Sequence, residues 1–200
     1  MDNTAKRLPM KVKWLFASGD FAKTLLVVMT AAFSLFFYTD VLGMDAKIVA
    51  TIILIAKIWD FINDPMMGAL VDRTRSKEGK CRMWLKYMSV PGGVVLALNF
   101  IMPELTATGK IIWVAVTYIL QGMASTALMI PQNTLMSRLT TDPVERAAIN
   151  SYRGYFSVAA NLIASSFAIP FVMMAGNGDM RKGFAVFGIV CGVLYAINYL

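Results

Sequence analysis

Long blocks of apolar residues, separated by short polar breaks, run along the whole chain. A helix that crosses the hydrocarbon core of a bilayer needs about 20 mostly apolar residues. Six blocks reach or approach that length, at residues 14–39, 46–70, 83–102, 110–137, 153–175 and 184–200. The pattern predicts an all-α, polytopic membrane protein in which residues 1–200 form one bundle of six transmembrane helices.

The composition supports a location in the membrane. The chain is 58% hydrophobic and 16% charged, and a soluble protein of this size has too little interior to hide so much apolar side chain. The blocks also lack the short alternation of polar and apolar residues that is typical of an outer-membrane barrel. We therefore expect membrane lipid to surround the chain.

The net charge of +7 comes from basic residues that lie mostly in the breaks between the blocks. Most of them lie in the N-terminal segment, at 72–86 and at 138–153, which six alternating spans place on one side of the membrane. The segments on the other side of the membrane hold only Lys47, Lys110, Arg181 and Lys182. An excess of lysine and arginine marks the cytoplasmic loops of membrane proteins. We predict a multi-pass protein of the cell inner membrane with a cytoplasmic N-terminus, and no nucleic-acid partner.

The second predicted helix carries three ionisable side chains, Lys57, Asp60 and Asp64, inside its apolar stretch. Spacings of three and four residues place them on one helical face. Two acids one turn apart repel each other unless a cation or a proton lies between them, and hard cations prefer oxygen ligands. The acids and the amide oxygen of Asn63 predict a sodium or proton site, with Lys57 as the charge partner. The alternative is a buried lysine–aspartate pair that only fixes helix packing.

Polar side chains also follow the first, fourth and fifth predicted helices. Asp20 precedes Lys23 and Thr24 on the first helix, and an intrahelical ion pair between the acid and the lysine is one interpretation. The candidates on the fourth and fifth helices are Gln121, Ser125, Gln132, Asn133 and Arg153. Such stripes either make interhelical hydrogen bonds or line a water-filled cavity that binds a polyhydroxylated small-molecule solute.

The sequence contains no histidine and no phosphate-binding loop of the GxxxxGK[ST] type. Histidine-dependent metal sites and catalytic triads are therefore excluded, and ATP hydrolysis within this chain is not predicted. We expect no cofactor and no resident metal, so that an ion gradient would supply the energy for uphill transport. A membrane enzyme or a sensor is the competing interpretation, but the carboxylates have no evident catalytic partner.

Four segments resemble one family of transporters. They are WDFINDPMMGALVDRTRSKEGKCRMW (59–84), FFYTDVLG (36–43), VTYILQGM (116–123) and TDPVERAAINSYRGYF (141–156). The chain is similar in these segments to the glycoside–pentoside–hexuronide:cation symporters, the melibiose permease-like branch of the major facilitator superfamily. The resemblance implies secondary active transport of a sugar or glycoside, coupled to sodium or proton import.

The resemblance also implies roles for individual residues. The four that match the family's cation-binding residues are Asp60, Asn63, Asp64 and Thr126. Arg153 resembles an arginine near the sugar and the cytoplasmic gate, and Lys57 stands where an arginine is usual. Asp72, Arg73 and Arg75 are similar to the superfamily's cytoplasmic latch.

The chain departs from the family pattern in the region that binds the sugar. Thr24 and Met129 stand in place of two galactoside-binding aspartates, and Gln132 and Asn133 replace an aromatic pair. Cation coupling is therefore supported more strongly than any particular sugar. A non-sugar solute such as a lysolipid is the alternative.

Members of the family resemble one another in having twelve helices in two halves, each built of two inverted three-helix repeats. The resemblance implies that this chain forms the N-terminal half, with the C-terminal half as its missing partner. The last apolar block runs to Leu200 without flanking charge, from which we expect a truncated chain. Alternating access moves one half against the other, so the isolated chain is expected to bind a cation weakly and to transport nothing.

Overall fold

The computed structural model describes residues 9–76, 79–140 and 142–199, and every regular element within these ranges is a helix. The six α-helices are α1 (Met10–Phe36), α2 (Ala46–Arg73), α3 (Lys80–Phe100), α4 (Ala107–Leu139), α5 (Pro143–Ala175) and α6 (Met180–Tyr199). The last turn of α1 continues as a π-helical turn at Phe37–Val41. The prediction of an all-α helical bundle is confirmed.

Five of the six helices begin before the apolar block that predicted them, and polar side chains cap the early starts of α4, α5 and α6. The Asp142 carboxylate accepts a hydrogen bond from the Val144 N–H at 2.9 Å, and Pro143 occupies the first turn. As a result α5 begins at Pro143 rather than at the predicted residue 153. A side-chain oxygen at the cap satisfies an N–H that the helix itself leaves unpaired, and proline has no N–H to lose at the first position.

The helix contacts have an internal symmetry: most contacts have a counterpart in which α1 and α4, α2 and α5, and α3 and α6 are exchanged. The pairing of α1 with α5 corresponds to that of α4 with α2, and the pairing of α3 with α4 corresponds to that of α6 with α1. The contact between α3 and α6 is its own counterpart. This is the packing expected of two similar three-helix units with inverted orientation.

The contact between α3 and α6 leaves no room for side chains at its centre. A Cβ atom built on Gly93 would overlap the carbonyl oxygen of Gly192, and a Cβ atom built on Gly192 would overlap the carbonyl oxygen of Gly93. Gly188, one turn before Gly192, lies against the Phe100 side chain. Small residues at such spacings allow helix backbones to approach closely in membranes, so these glycines fix where α3 and α6 cross.

An aromatic cluster holds α1, α3 and α6 together near the π-helical turn. Phe37, Phe100, Phe184 and Phe187 are all buried. The ring centroids of Phe37 and Phe184 lie 5.0 Å apart, and those of Phe100 and Phe187 lie 5.5 Å apart. Such ring pairs contribute about 0.5–1.5 kcal/mol each beyond the area they bury. The cluster therefore anchors the end of α1 to the two helices that cross at the glycines.

The first turns of α1 and α5 are joined by a buried ion pair. Lys13 Nζ lies 2.6 Å from Glu145 Oε2. Beside it, the ring of Trp14 lies 5.9 Å from the ring of Tyr152 and packs edge-on against Phe156 at 5.5 Å. Charge and aromatic packing thus fix the register of α1 on α5.

Among the described residues, three helices are long and apolar enough to cross a membrane by length and composition alone. They are Ala107–Met136, Pro143–Ala175 and Met180–Ile197. The apolar blocks of the sequence predicted six such spans. The α2 helix differs because Lys57, Asp60 and Asp64 interrupt its apolar stretch, so its stability in a bilayer depends on how those charges are arranged.

Candidate cation and solute site

Polar side chains of α1, α2 and α4 meet in a cavity of about 380 Å³. The helices contribute seven of the residues that were selected from the sequence. These are Lys23, Lys57, Asp60, Asp64, Gln121, Ser125 and Thr126. We refer to this space as the central cavity.

The two acids of α2 have different partners in the central cavity. Thr126 Oγ1 donates a hydrogen bond to Asp64 Oδ1 at 2.8 Å, which links α4 to α2. Lys57 Nζ lies 3.0 Å from Asp60 Oδ2 on the same helix. Lys57 offsets one of the two acidic charges, and a second lysine, Lys23, also lines the cavity. A monovalent cation or a proton would neutralise an acid that is not paired with a lysine.

The backbone of α4 lies close to Asp60 at Gly122, one turn before Thr126 contacts Asp64. A Cβ atom built on Gly122 would lie 2.5 Å from Asp60 Oδ1, so any larger residue would displace the carboxylate. Gly122 and Thr126 are four residues apart, as are Asp60 and Asp64. One face of α4 therefore holds both carboxylates in place, the first by close packing and the second by a hydrogen bond.

Asn63 lies between the two acids in the sequence, but the structure places its side chain differently from theirs. Its side chain is 2% exposed, and its Nδ2 has no hydrogen-bond partner among the described residues. Asn63 is not among the described residues that line the central cavity. In this conformation the candidate cation ligands at the cavity surface are therefore Asp60, Asp64 and Thr126. No group of three or more His, Cys, Asp or Glu side chains suitable for a metal ion occurs in the described part of the chain.

The central cavity is also lined by neutral polar groups. Gln121 Nε2 donates a hydrogen bond to Ser125 Oγ at 3.3 Å. Asn99 of α3, Tyr118 of α4 and Tyr195 of α6 also line the cavity. Amides and hydroxyls of this kind form hydrogen bonds with a polyhydroxylated solute.

A second cavity, of about 320 Å³, lies between α1 and α5. The residues that line it are Lys23, Thr24, Asn150, Arg153, Gly154 and Ser157. Arg153 Nη1 lies 3.4 Å from Asn150 Oδ1 and 3.0 Å from Met136 Sδ. Lys23 lines both cavities, and the described lining of the second contains two basic side chains and no acid.

The structure does not bring every selected residue into these cavities. Gln132 is buried and Asn133 is exposed, and neither is among the described residues that line either cavity. The side chain of Asp20 lies outside the described part of the structure.

The predicted gate residues follow the end of α2. Asp72 Oδ1 lies 2.5 Å from Lys80 Nζ at the start of α3, while Arg73 and Arg75 are exposed. Trp84 Nε1 donates a hydrogen bond to Thr74 Oγ1 at 3.0 Å. The end of α2 and the residue that follows it are thus joined to the first turns of α3 by two contacts.

Sequence reasoning did not select the cavity residues Tyr118, Tyr195 and Asn99. Asn99 and Tyr195 come from α3 and α6, whose sequences are mostly apolar. A single polar residue in an apolar helix is a signal for such a position, because an unpaired polar group in a membrane is unfavourable. The pattern did not predict which of these residues would reach the same cavity.

Comparison with known proteins identifies close sequence relatives. YicJ, an inner membrane symporter of Escherichia coli (strain K12), is 34% identical over 196 residues, which cover 96% of this chain and 43% of YicJ. The isoprimeverose transporter of Lactiplantibacillus pentosus is 32% identical over 194 residues, which cover 96% of this chain and 40% of the transporter. YagG of E. coli, provisionally named a glycoside/cation symporter, is 38% identical over 185 residues, covering 92% of this chain and 40% of YagG.

The chain thus spans about 40% of the length of the curated relatives that it matches. A family model described as MFS/sugar transport protein matches residues 15–200. The match includes α1 from residue 15, the other five helices and both cavities, and it confirms the resemblance seen in the sequence. This chain belongs to the MFS/sugar transport protein family.

Proposed function

We propose that this chain is the cation-binding half of a secondary active transporter that couples sodium or proton entry to import of a sugar or glycoside. The observation that carries the proposal is the arrangement of Asp60 and Asp64 in one cavity with Gln121 and Ser125. A cation bound at the acids would lie in the same space as a solute bound at the amide and hydroxyl. Coupling requires that the two ligands affect each other's binding, and a shared cavity provides the contact.

The different partners of the two acids suit a site that binds and releases a cation. Thr126 keeps Asp64 oriented by a hydrogen bond, while Lys57 supplies a positive charge to Asp60. When a cation enters, the ammonium of Lys57 can turn away because its side chain is largely exposed. When the cation leaves, Lys57 again offsets part of the negative charge.

The names of the relatives agree with a transporter rather than an enzyme. YagG is named for glycosides and cations, and the relative from L. pentosus is named for isoprimeverose. The name of YicJ places that protein in the inner membrane. For this chain we propose the same membrane, with the N-terminus and the Asp72–Lys80 connection on the cytoplasmic side.

The complete transporter, in this proposal, consists of this chain together with a second half that corresponds to the remaining length of the relatives. Alternating access requires movement of one half against the other. The 200-residue chain alone is therefore expected to bind a cation weakly and to transport no solute. Uptake into vesicles by this chain alone would contradict that expectation.

Replacement of Asp64 by asparagine tests the coupling role. Asp64→Asn keeps an oxygen that accepts the Thr126 hydrogen bond but removes the negative charge. We expect the complete transporter in vesicles to lose accumulation of solute against its gradient and to retain downhill exchange. Glu104→Gln, the same type of change at an exposed position outside the cavities, is the control. An Asp64→Asn transporter that still concentrates solute would show that the acid is not required for coupling.

An anionic sugar derivative is a second candidate solute, and the second cavity favours it. Lys23 and Arg153 both line it, and ammonium and guanidinium groups bind carboxylates and sulfonates. Uptake of methyl glucuronide and methyl glucoside, compared with and without sodium at fixed pH, distinguishes the two candidates. Preference for the glucuronide that Arg153→Gln abolishes would establish the anionic solute, whereas preference for the neutral glucoside would exclude it.

A further inference from the structure

The α4 helix contacts the two acids of α2 at positions that are four residues apart. Thr126 Oγ1 donates a hydrogen bond to Asp64 Oδ1 at 2.8 Å, and the backbone of Gly122 lies against Asp60. The two helices therefore run side by side in the same direction, with matching steps of four residues. Tyr118 precedes Gly122 by another four residues, which places it on the same face of α4.

The same step on α2 leads from Asp60 back to Ala56, and Lys57 follows Ala56 directly. Tyr118, Ala56 and Lys57 all line the central cavity. Ala56 is buried at 2% exposure, whereas the Lys57 side chain is 66% exposed. The register of the two helices thus places Tyr118 level with the base of a lysine side chain that has room to move.

Lys57 extends along α2 to reach its present partner, and its Nζ lies 3.0 Å from Asp60 Oδ2. In the proposed function Lys57 leaves Asp60 when a cation binds, because the cation and the ammonium repel each other. Movement away from Asp60 brings the ammonium back toward the level of Tyr118. An ammonium group donates hydrogen bonds and accepts none, and inside a membrane it needs an acceptor. A tyrosine hydroxyl oxygen is such an acceptor.

We propose that Tyr118 is a positioning residue for cation coupling, because its hydroxyl accepts a hydrogen bond from the Lys57 ammonium in the cation-bound state. This contact keeps the lysine away from Asp60 while the cation is bound. The inference rests on the proposed function and adds to it the group that receives the lysine. Tyr118 acts through Lys57, so loss of its hydroxyl should weaken cation binding as long as the lysine is present.

Tyr118→Phe removes the hydroxyl and keeps the ring. In vesicles that contain the complete transporter, a panel of methyl xylosides, glucosides and galactosides first identifies the glycoside with the highest uptake. Its uptake is then measured while sodium is varied at fixed pH and ionic strength, and while the pH is varied without sodium. We expect Tyr118→Phe to raise the half-saturating concentration of the activating ion roughly three- to tenfold, with the solute KM at saturating ion within about twofold of the unsubstituted transporter.

A double-mutant cycle with Lys57→Gln shows whether Tyr118 acts through the lysine. The ammonium is absent from the Lys57→Gln transporter, so the further change Tyr118→Phe should alter the half-saturating ion concentration by less than about twofold. Tyr87→Phe, at an exposed tyrosine of α3, is the control and should leave the half-saturating concentration and KM unchanged.

Other roles of Tyr118 predict other results, and each of these would overturn the inference. A direct cation ligand would give the same increase in the Lys57→Gln transporter. A solute contact would raise KM at saturating ion and leave the half-saturating ion concentration unchanged. A role in folding would lower the amount of folded transporter and Vmax alone, and no change in any of these quantities would also count against it. Uptake by the unsubstituted transporter that neither sodium nor protons activate would instead overturn the proposed function, and this inference with it.

Discussion

Two lysine–carboxylate ion pairs in this chain differ in how deeply they are buried, and the difference affects what each pair can do. The Lys13 and Glu145 side chains are 12% and 8% exposed and lie 2.6 Å apart between α1 and α5. The Lys57 and Asp60 side chains are 66% and 23% exposed and lie 3.0 Å apart along α2. The first pair joins two helices, whereas the second joins residues of one helix at the edge of a cavity.

The difference in exposure determines what each pair can do. A buried pair cannot separate without leaving a charge in a poorly solvated interior. We therefore expect Lys13 and Glu145 to stay paired and to hold α1 against α5. The Lys57 side chain is largely exposed and lines the central cavity, so it can leave Asp60 without entering a packed interior. The proposed function requires Lys57 to leave Asp60 when a cation binds, and the exposure of the lysine is compatible with that step.

Breaking the buried pair is expected to have the largest effect. Glu145→Gln leaves the Lys13 ammonium without a counter-charge, and we expect it to lower the free energy of unfolding by about 3–5 kcal/mol. The measurement is denaturant unfolding of the complete transporter in detergent micelles. The double variant Lys13→Met with Glu145→Met should recover most of the stability, because two apolar side chains replace both charges. A loss below about 1 kcal/mol in the single variant would place this pair in the same class as an exposed one.

Removal of the exposed lysine should have a smaller effect on stability and a distinct effect on function. Lys57→Gln is expected to change the free energy of unfolding by less than about 1 kcal/mol. Because it removes a positive charge beside Asp60, the half-saturating concentration of the coupling cation should fall by roughly fivefold. The measurement is cation-activated uptake at constant solute. Unchanged or weaker cation activation would mean that Lys57 does not compete with the cation.

A third pair, Lys182 and Asp179 at the start of α6, has side chains that are 79% and 46% exposed. Backbone N–H groups of Lys182 and Arg181 donate hydrogen bonds to Asp179, and with the Lys182 ammonium they hold the pKa of this carboxyl below its usual value of 3.8. A lowered pKa stabilises the first turn of α6 above pH 3.8, and this contribution is lost as the pH falls through the lower value. We expect Asp179→Asn to have the smallest effect, visible only as faster amide hydrogen exchange at Arg181 and Lys182 near neutral pH. Equal exchange in both proteins at pH 7 would show that the carboxylate does not stabilise this turn.

The sequence was sufficient to predict the helices but not their ends. Apolar length indicates the part of a helix that fits a bilayer, and it located all six. The start of α5 was missed because Asp142 and Pro143 were interpreted as a break, although this pair is also typical of a helix N-terminus. The ends of helices in membrane proteins should therefore be predicted from cap residues as well as from hydropathy.

The candidate site was predictable where its residues lie on one helix. The spacing of Asp60 and Asp64 is visible in the sequence, whereas the contacts of Asp64 with Thr126 and of Lys13 with Glu145 join helices far apart in the chain. Resemblance to a family indicated the first of these contacts, and neither periodicity nor composition indicated the second. Tyr195 was not selected for the same reason, since its place in the cavity lining depends on how α6 packs against the other helices.

The mutual approach of Gly93 and Gly192 has a mechanical consequence for any rocking of this half. Two backbones in direct contact have no side chains between them that could change rotamer to absorb a displacement. In the proposed transporter α3 and α6 would then move as one rigid unit, and relative movement of helices would be left to α1, α2, α4 and α5. A single added methyl group at either glycine would overlap the facing carbonyl oxygen and force the two helices apart.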